Sequence, residues 1–293
     1  MNDDFAVLRD DAMKISSRAR SYLLFLRWFS WSPERPKALS RVARRLESLW
    51  QAVWLGWLDA DDLNGITWSH YMGTSGFEVE PFNVHQGLWP WEADASQRHF
   101  KDCKRVLVAG AGGGREVIAL ARLGHQVTAF DFSRSLTAAC RRNLEKAGCS
   151  AVVLDAPQDG LPADLGIHDA VLIGRGVYHH IPGRMRRVAF LQSCRACLPV
   201  GAPVILSDFF TRSADSTFHR RTRQIANVVR RLRGGGEGDG VELGDWLANC
   251  MQHAFTRQEI EQELVDAGFC LETYTVSPFG KESHLALAVG RAT

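Results

Sequence analysis

Three glycines spaced two apart, Gly110, Gly112 and Gly114, stand between an apolar run, Val106-Leu107-Val108-Ala109, and a helical pattern that opens at Arg115-Glu116. Glycines in such a turn let the backbone bend sharply and let a ligand approach the N–H groups at a helix start. The next apolar run ends in Asp131, 21 residues after Gly110. An acid at that place can accept two hydrogen bonds from ribose hydroxyls. A dinucleotide fingerprint starting at Gly110 needs Gly or Ala at 115, and the chain has Arg115. The register therefore suits a nucleoside bearing an amino-acid tail better than a pyrophosphate.

A second group of reactive side chains lies in Gly174-Arg175-Gly176-Val177-Tyr178-His179-His180-Ile181-Pro182, after another apolar run. In a doubly wound sheet a loop at this place borders the ligand crevice. His179, His180 and Tyr178 are its general-base candidates. No third ligand at suitable spacing accompanies the histidines, so no metal site is expected. Asp208, which ends a further run, is either a substrate-side acid or a cap for the segment after it.

The elements that must position these residues follow from periodicity. From Lys104 onward, short apolar runs alternate with helical stretches: Arg105 to Gly110, Gln126 to Asp131, Ala151 to Asp155, Asp169 to Gly174 and Pro203 to Phe210. Helical patterns separate most of them, at Arg115 to Leu123, Leu136 to Ala147 and Met185 to Leu198. Continuously apolar strands in such an alternation predict an α/β fold with a parallel sheet covered on both faces. Thr256 to Glu259 is a capping box for a helix reaching Ala267, with Gly268 as its stop. Strand-like runs at Cys270 to Val276 and His284 to Val289 close the chain.

The first hundred residues differ. Eight of the nine tryptophans lie there. Two helices are predicted, Ala6 to Phe29 and Ala38 to Leu58. The second carries Val42, Leu46, Leu49, Trp50, Val53, Trp54 and Trp57 on one stripe, the pattern of a core-facing surface. Asn64 to Pro90 reads as ordered loops. A basic helical stretch, Phe218 to Leu232, precedes a glycine-rich tract from Gly234 to Gly240. The domain organisation expected is an N-terminal helical, Trp-rich extension over 1–100, acting as a substrate cap. A second domain over 101–293 carries an insertion at about 211–254.

The 293 residues carry 35 basic and 33 acidic side chains, a net charge of +2. This gives little support to a nucleic-acid partner, which calls for a larger excess or a concentrated stripe. Seven cysteines, an odd and scattered set, fit free thiols in a reducing compartment. Cys194-x-x-Cys197 falls within a helical pattern and reads as packing. The acidic opening Met1-Asn2-Asp3-Asp4 lacks the basic region of a secretory leader. Tyr22 to Trp31, interrupted by Arg27, is too short for a spanning helix. A cytoplasmic location is expected, and no oligomeric state is implied.

The segment from Arg105 to Asp131 resembles the glycine motif and second-strand acid of the class I S-adenosylmethionine-dependent methyltransferases. The resemblance continues in order. Leu154-Asp155-Ala156 resembles the third-strand end whose acid contacts adenine, and His168 to Leu172 the fourth strand. Leu198-Pro199-Val200-Gly201-Ala202 is similar to the turn before the fifth strand. Phe255-Thr256 through Ala267-Gly268-Phe269 is similar to the helix before the sixth.

This resemblance covers roughly residues 104 to 291. It implies a seven-stranded, mostly parallel doubly wound sheet with the last strand antiparallel. It also implies S-adenosylmethionine as cofactor, with S-adenosylhomocysteine as product. Cofactor contacts are expected at Gly110, Ala111, Gly112, Gly114 and Glu116, at Asp131 and Phe132, at Asp155 and Ala156, and at Gly174 and Arg175. Many members carry an acid two residues before the first glycine, where this chain has Val108. Glu92 is the alternative for the methionine amino group, unless it only favours the first turn of a helix begun by Pro90.

The reaction implied is methyl transfer, in which the protein mostly positions a nucleophile and in some cases takes a proton. There is no Asn/Asp-Pro-Pro-Tyr/Phe after the fourth strand, which disfavours amino-methylation of bases or glutamine. The same loop carries no cysteine nucleophile. An O, N or S atom of a small-molecule acceptor is the expected target, with secondary metabolism as a setting. The alternatives are an RNA or protein methyltransferase using the Arg220 to Arg233 stretch, and a non-catalytic scaffold of the same fold. A nicotinamide-dependent oxidoreductase is disfavoured by Arg115.

Overall fold

The apolar runs become the strands of one twisted sheet, and their side chains alternate between two buried layers. The computed structural model describes residues 15–30, 37–73, 84, 86–158, 160–234, 240–276 and 285–293. The chain divides into two units, one of 1–70 with 217–252 and the other of 71–216 with 253–293.

The second unit holds the sheet. Its strands are β1 (Arg105–Ala109), β2 (Gln126–Asp131), β3 (Val152–Asp155), β4 (Ala170–Ile173) and β5 (Pro203–Phe210), completed by β8 (Phe269–Val276) and β9 (Leu285–Ala292). They are ordered β3-β2-β1-β4-β5-β9-β8. β1 to β5 pair in parallel, and β9 runs antiparallel to both β5 and β8. This is the doubly wound sheet expected from the alternating pattern. Val106, Val108, Val127, Ala129 and Leu172 face one layer, with α4 (Pro90–His99), α5 (Arg115–Arg122) and α6 (Arg134–Ala147). Leu107, Ala109, Val171, Ile173 and Val204 face the other, with α7 (Val177–His180), α8 (Arg184–Ala196) and α10 (Arg257–Asp266). The period-two alternation is what commits each strand to both layers at once.

Local chemistry sets the helix ends. Thr256 Oγ1 accepts from Glu259 N–H at 3.2 Å, and Glu259 Oε2 accepts from Thr256 N–H at 2.7 Å, so the expected capping box opens α10. Cys194 lies within α8 and Cys197 caps it; all seven cysteines are free.

The first unit is helical: α1 (Ser17–Ser30), α2 (Lys37–Trp57), most of α3 (Ala60–Gly73) and α9 (Thr217–Leu232), with a small β6–β7 hairpin at Asp245–Leu247 and Met251–His253. Two expectations are corrected here. The loop reading of Asn64 to Pro90 gives way to a helix as far as Gly73. Leu63, Ile66 and Thr67 are buried on it, and that burial outweighs the unfavourable propensity of Asn64-Gly65. Among the described side chains of α2, Ala52, Leu55 and Gly56 are buried; of the expected stripe Val53 and Trp54 are half-buried, Trp54 packing against the unit's core, Leu46, Leu49, Trp50 and Trp57 are exposed, and the side chain of Val42 lies outside those described. The cause is the approach of α9. A Cβ on Gly56 would lie 2.2 Å from the carbonyl oxygen of Ala226, so small residues, not tryptophans, make the seam. Arg230 closes this contact by donating to the carbonyls of Leu58 at 2.6 Å and Leu55 at 3.1 Å. Residues 6–14, 74–83, 235–239 and 284, over which further expectations ran, lie outside the described residues. Among the described residues, no helix is long and apolar enough to cross a membrane.

Candidate functional site

The β1–α5 turn is a glycine cradle whose backbone is held from below. Gly110 and Ala111 both donate to the carbonyl of Phe130, at 2.9 and 2.8 Å, which folds the turn over the end of β2. Gly110, Gly112 and Gly114 have φ of 83°, 49° and 100°. A Cβ on Gly110 would strike Val177 Cγ2 at 2.1 Å, whereas one on Gly112 would meet nothing within 4 Å. Gly110 is thus required by crowding as well as conformation, and Gly112 by conformation beside open space. Gly174, at the end of β4, is crowded against the carbonyls of Gly110 and Ala109.

Asp131 ends β2 directly beneath this turn. Its carboxylate accepts from Gly112 N–H at 2.9 Å and Ser133 N–H at 3.0 Å, with a further contribution from Phe132 N–H. Burial pushes the carboxyl up to about 6; the backbone donors oppose the shift, and Glu116 adds to it. A carboxylate offers about four acceptor positions, so these donors leave capacity for a ribose hydroxyl. Ala156 N–H is spent on the carbonyl of Asp131 at 2.9 Å. Asp155, at the end of β3, is partly exposed. It accepts from Thr137 Oγ1 at 2.6 Å, with Arg134 and Arg141 within 4 Å. The Phe132 ring meets Tyr71 edge-on at 6.2 Å.

Glu92 is not placed to receive an amino group. It lies 1% exposed, and four donors saturate it. Oε2 accepts from Arg115 Nη1 at 2.6 Å and Trp89 N–H at 2.8 Å; Oε1 accepts from Arg115 Nη2 at 2.9 Å and from the Ser207 hydroxyl. Arg115 also donates to Glu116 Oε1, so one guanidinium bridges two buried acids. This fork explains why an arginine stands where a dinucleotide motif has glycine. The guanidinium is the counter-charge that lets Glu92 and Glu116 stay buried beside the cradle. Periodicity could not show the bond, but a charged residue in a glycine slot next to an acid was the available signal. Glu116 Oε1 also lies 3.5 Å from Arg175 N–H.

The histidine loop forms the short helix α7, begun by Gly176 at φ 85°. Its three polar rings separate. Tyr178 is buried in the core under the sheet, and its hydroxyl donates to Glu263. Arg187 grips the same glutamate at 2.7 Å. Burial and the Glu263 charge raise the phenol well above its ordinary range. The expectation of Tyr178 as a base is therefore corrected: its proton is committed to an internal ion pair. His179 is also buried, and burial, with His180 and Arg175 nearby, lowers its pKa well below the usual imidazole value. A hydrogen bond to the backbone of Asp208 holds it, and among the described residues its Nδ1 has no hydrogen-bond partner. His180 is partly exposed; its ring lies 4.3 Å from His179 and 5.6 Å, edge-on, from Tyr71.

Asp208 lies at the end of β5. Its Oδ1 accepts from Trp91 Nε1 at 2.8 Å, and burial beside Glu92 pushes the carboxyl up to about 6. Trp91 and Trp89 stack at 5.4 Å with rings 7° from parallel. Sequence pattern carries no sign of this indole partnership, which joins residues 117 positions apart.

Residues 106–201 match the family model described as a methyltransferase domain. No curated protein matches the chain in sequence. Among solved structures, a S-adenosylmethionine-dependent methyltransferase from Methanosarcina mazei is similar, with 18% identity and a TM-score of 0.54 over 70% of this chain and 98% of its own. A structure concerned with conversion of a disulfide bond into a thioacetal group during echinomycin biosynthesis has 21% identity and a TM-score of 0.52, over 76% and 90%. A S-adenosylmethionine-dependent methyltransferase from Clostridium acetobutylicum has 10% identity and a TM-score of 0.50, over 73% and 92%. At these identities the structural likenesses speak to fold.

Proposed function

We propose that the chain, whose residues 106–201 match the methyltransferase-domain model, is a class I S-adenosylmethionine-dependent methyltransferase that methylates an O, N or S atom of a small-molecule acceptor. The observation that carries this reading is the coupling of the glycine cradle to Asp131. The acid that holds Gly112 N–H at 2.9 Å keeps acceptor capacity, and the glycine it holds borders open space. S-adenosylmethionine supplies a methyl group on a sulfonium, which becomes a thioether when the methyl leaves.

Asp131 is assigned to the ribose hydroxyls, with Phe132 and Ala156 beside it and Asp155 toward the adenine. Gly110, Ala111, Gly112, Gly114, Glu116, Gly174 and Arg175 border the amino-acid end. Glu92 acts through Arg115, keeping Glu116 in place, and not by direct contact. For acceptors that lose a proton, His180 is the assigned recipient, since its ring is partly exposed. His179, kept neutral by burial, orients the loop. The loop composition supports a small acceptor: Gly174-Arg175-Gly176 follows β4 where base-amino enzymes carry a Pro-Pro pair.

The test is a thermal titration with S-adenosylhomocysteine, S-adenosylmethionine, NAD and NADP in parallel. Stabilisation by the first two alone is expected. Asp131→Ala should weaken S-adenosylhomocysteine binding by roughly 1–3 kcal/mol through loss of charge-assisted hydrogen bonds. Unchanged affinity in that variant would remove Asp131 from the site, and stabilisation by NAD alone would overturn the reading.

A further inference from the structure

Asp208 is held in an unusual way for a buried acid. Strand β5 shifts register against β9 between Leu206 and Phe209, and Asp208 sits inside that irregularity at φ 48°. Bulges of this kind re-aim a side chain at a strand end. The result is a residue 1% exposed whose two carboxylate oxygens are treated differently. Oδ1 accepts the indole N–H of Trp91, while among the described residues Oδ2 has no hydrogen-bond donor. The Nε of Arg175 stands 3.8 Å from Oδ2.

The structural ion pairs of the same unit look different. Arg115 meets Glu92 at 2.6 and 2.9 Å, and Arg187 meets Glu263 at 2.7 Å. Those carboxylates are fully engaged, and their arginine partners are buried. The Arg175 side chain is about half exposed (48%) and only approaches Asp208. Its guanidinium carbon lies 5.9 Å from the centre of the Trp89 ring, on the tryptophan that stacks against Trp91. A loosely held cation thus occupies a place built from an aromatic face and a half-satisfied buried carboxylate. Such a combination recognises ammonium and guanidinium groups, because ring quadrupole and carboxylate attract the same charge where little water screens them.

We propose that Asp208, with the Trp89–Trp91 stack, is the recognition site for a cationic group of the methyl acceptor, a protonated amine or a guanidinium. The Arg175 side chain occupies that place until the acceptor enters. This assignment rests on the methyltransferase reading and names the acceptor class for it. It leaves the cofactor assignments unchanged, with Arg175 contributing there through its backbone N–H beside Glu116.

The experiment uses the full chain saturated with S-adenosylhomocysteine and three probes of similar shape: tryptamine, 3-ethylindole and indole-3-propionate. Phenethylamine and benzamidine serve as second cations. Binding is read by calorimetry and by melting temperature. At least one cation is expected to bind tenfold or more tighter than the neutral and anionic indoles. Asp208→Asn should abolish that preference while S-adenosylhomocysteine affinity stays within twofold. Arg175→Ala, by vacating the place, should strengthen cation binding several-fold. The proposal is overturned if no cation is preferred by the parent protein, if indole-3-propionate binds best, or if the preference survives Asp208→Asn. Failure of S-adenosylhomocysteine to bind any form would instead count against the methyltransferase reading itself.

Discussion

At Asp208 local geometry and electrostatics pull in opposite directions. Its φ of 48° is tolerable because an aspartate visits the left-handed region more readily than most residues. Its charge is not comfortable, since burial and Glu92 raise the carboxyl to about 6. A carboxyl whose folded pKa exceeds its unfolded value adds stability below the unfolded value, and loses it as pH rises through the folded one. At pH 7 the ionised side chain therefore works against folding. Asp208→Asn keeps the Trp91 acceptor and the tolerated φ, so it should be more stable than the parent by about 1–3 kcal/mol at pH 7. That gap should close as pH falls through 6 toward 4. Urea unfolding of both proteins across this range checks it, and a gap independent of pH would contradict the electrostatic account. The place of Asp131 at a strand end, 21 residues past Gly110, was legible from the sequence because the apolar run before it is local. The saturation of Glu92 was not legible, because Arg115 and Ser207 reach it only after folding.

At the scale of elements, the turn after β1 meets α7 where Gly110 lies against Val177. Gly110→Ala combines a left-handed backbone penalty of about 1–2 kcal/mol with an overpacking cost of about 1–3 kcal/mol. Val177→Ala in the same chain removes the methyl that the new Cβ would strike. The double variant should recover the steric part and keep the conformational part, so the two substitutions will be non-additive. Additive unfolding energies in a double-mutant cycle would show that the clash is relieved elsewhere. The strands and the α10 cap were readable because each depends on neighbours close in sequence. The helix from Ala60 to Gly73 and the exposed stripe of α2 were not. Burial of Ile66 and the close seam at Gly56 depend on which helices meet, a matter that local pattern leaves open.

For the whole molecule, a net charge of +2 with arginines gathered on α9 makes salt dependence the test between two acceptor classes. An RNA-modifying enzyme neutralises many phosphates, and its affinity falls steeply with salt. This chain is expected to show no retention of a labelled 20-nucleotide RNA at about 150 mM salt; tight binding with a steep salt slope would transfer the assignment to RNA. The strand runs, the glycine turn and the place of Asp131 at a strand end were determined by sequence, because strand periodicity and glycine conformations act over a few residues. Tertiary structure alone decided the fates of Tyr178, Glu92 and Asp208. Each is settled by partners 23 to 117 residues away, Glu263, Arg115 and Trp91, brought into contact by packing. Whether a polar group serves a ligand or the core depends on which of its hydrogen bonds the fold has already filled.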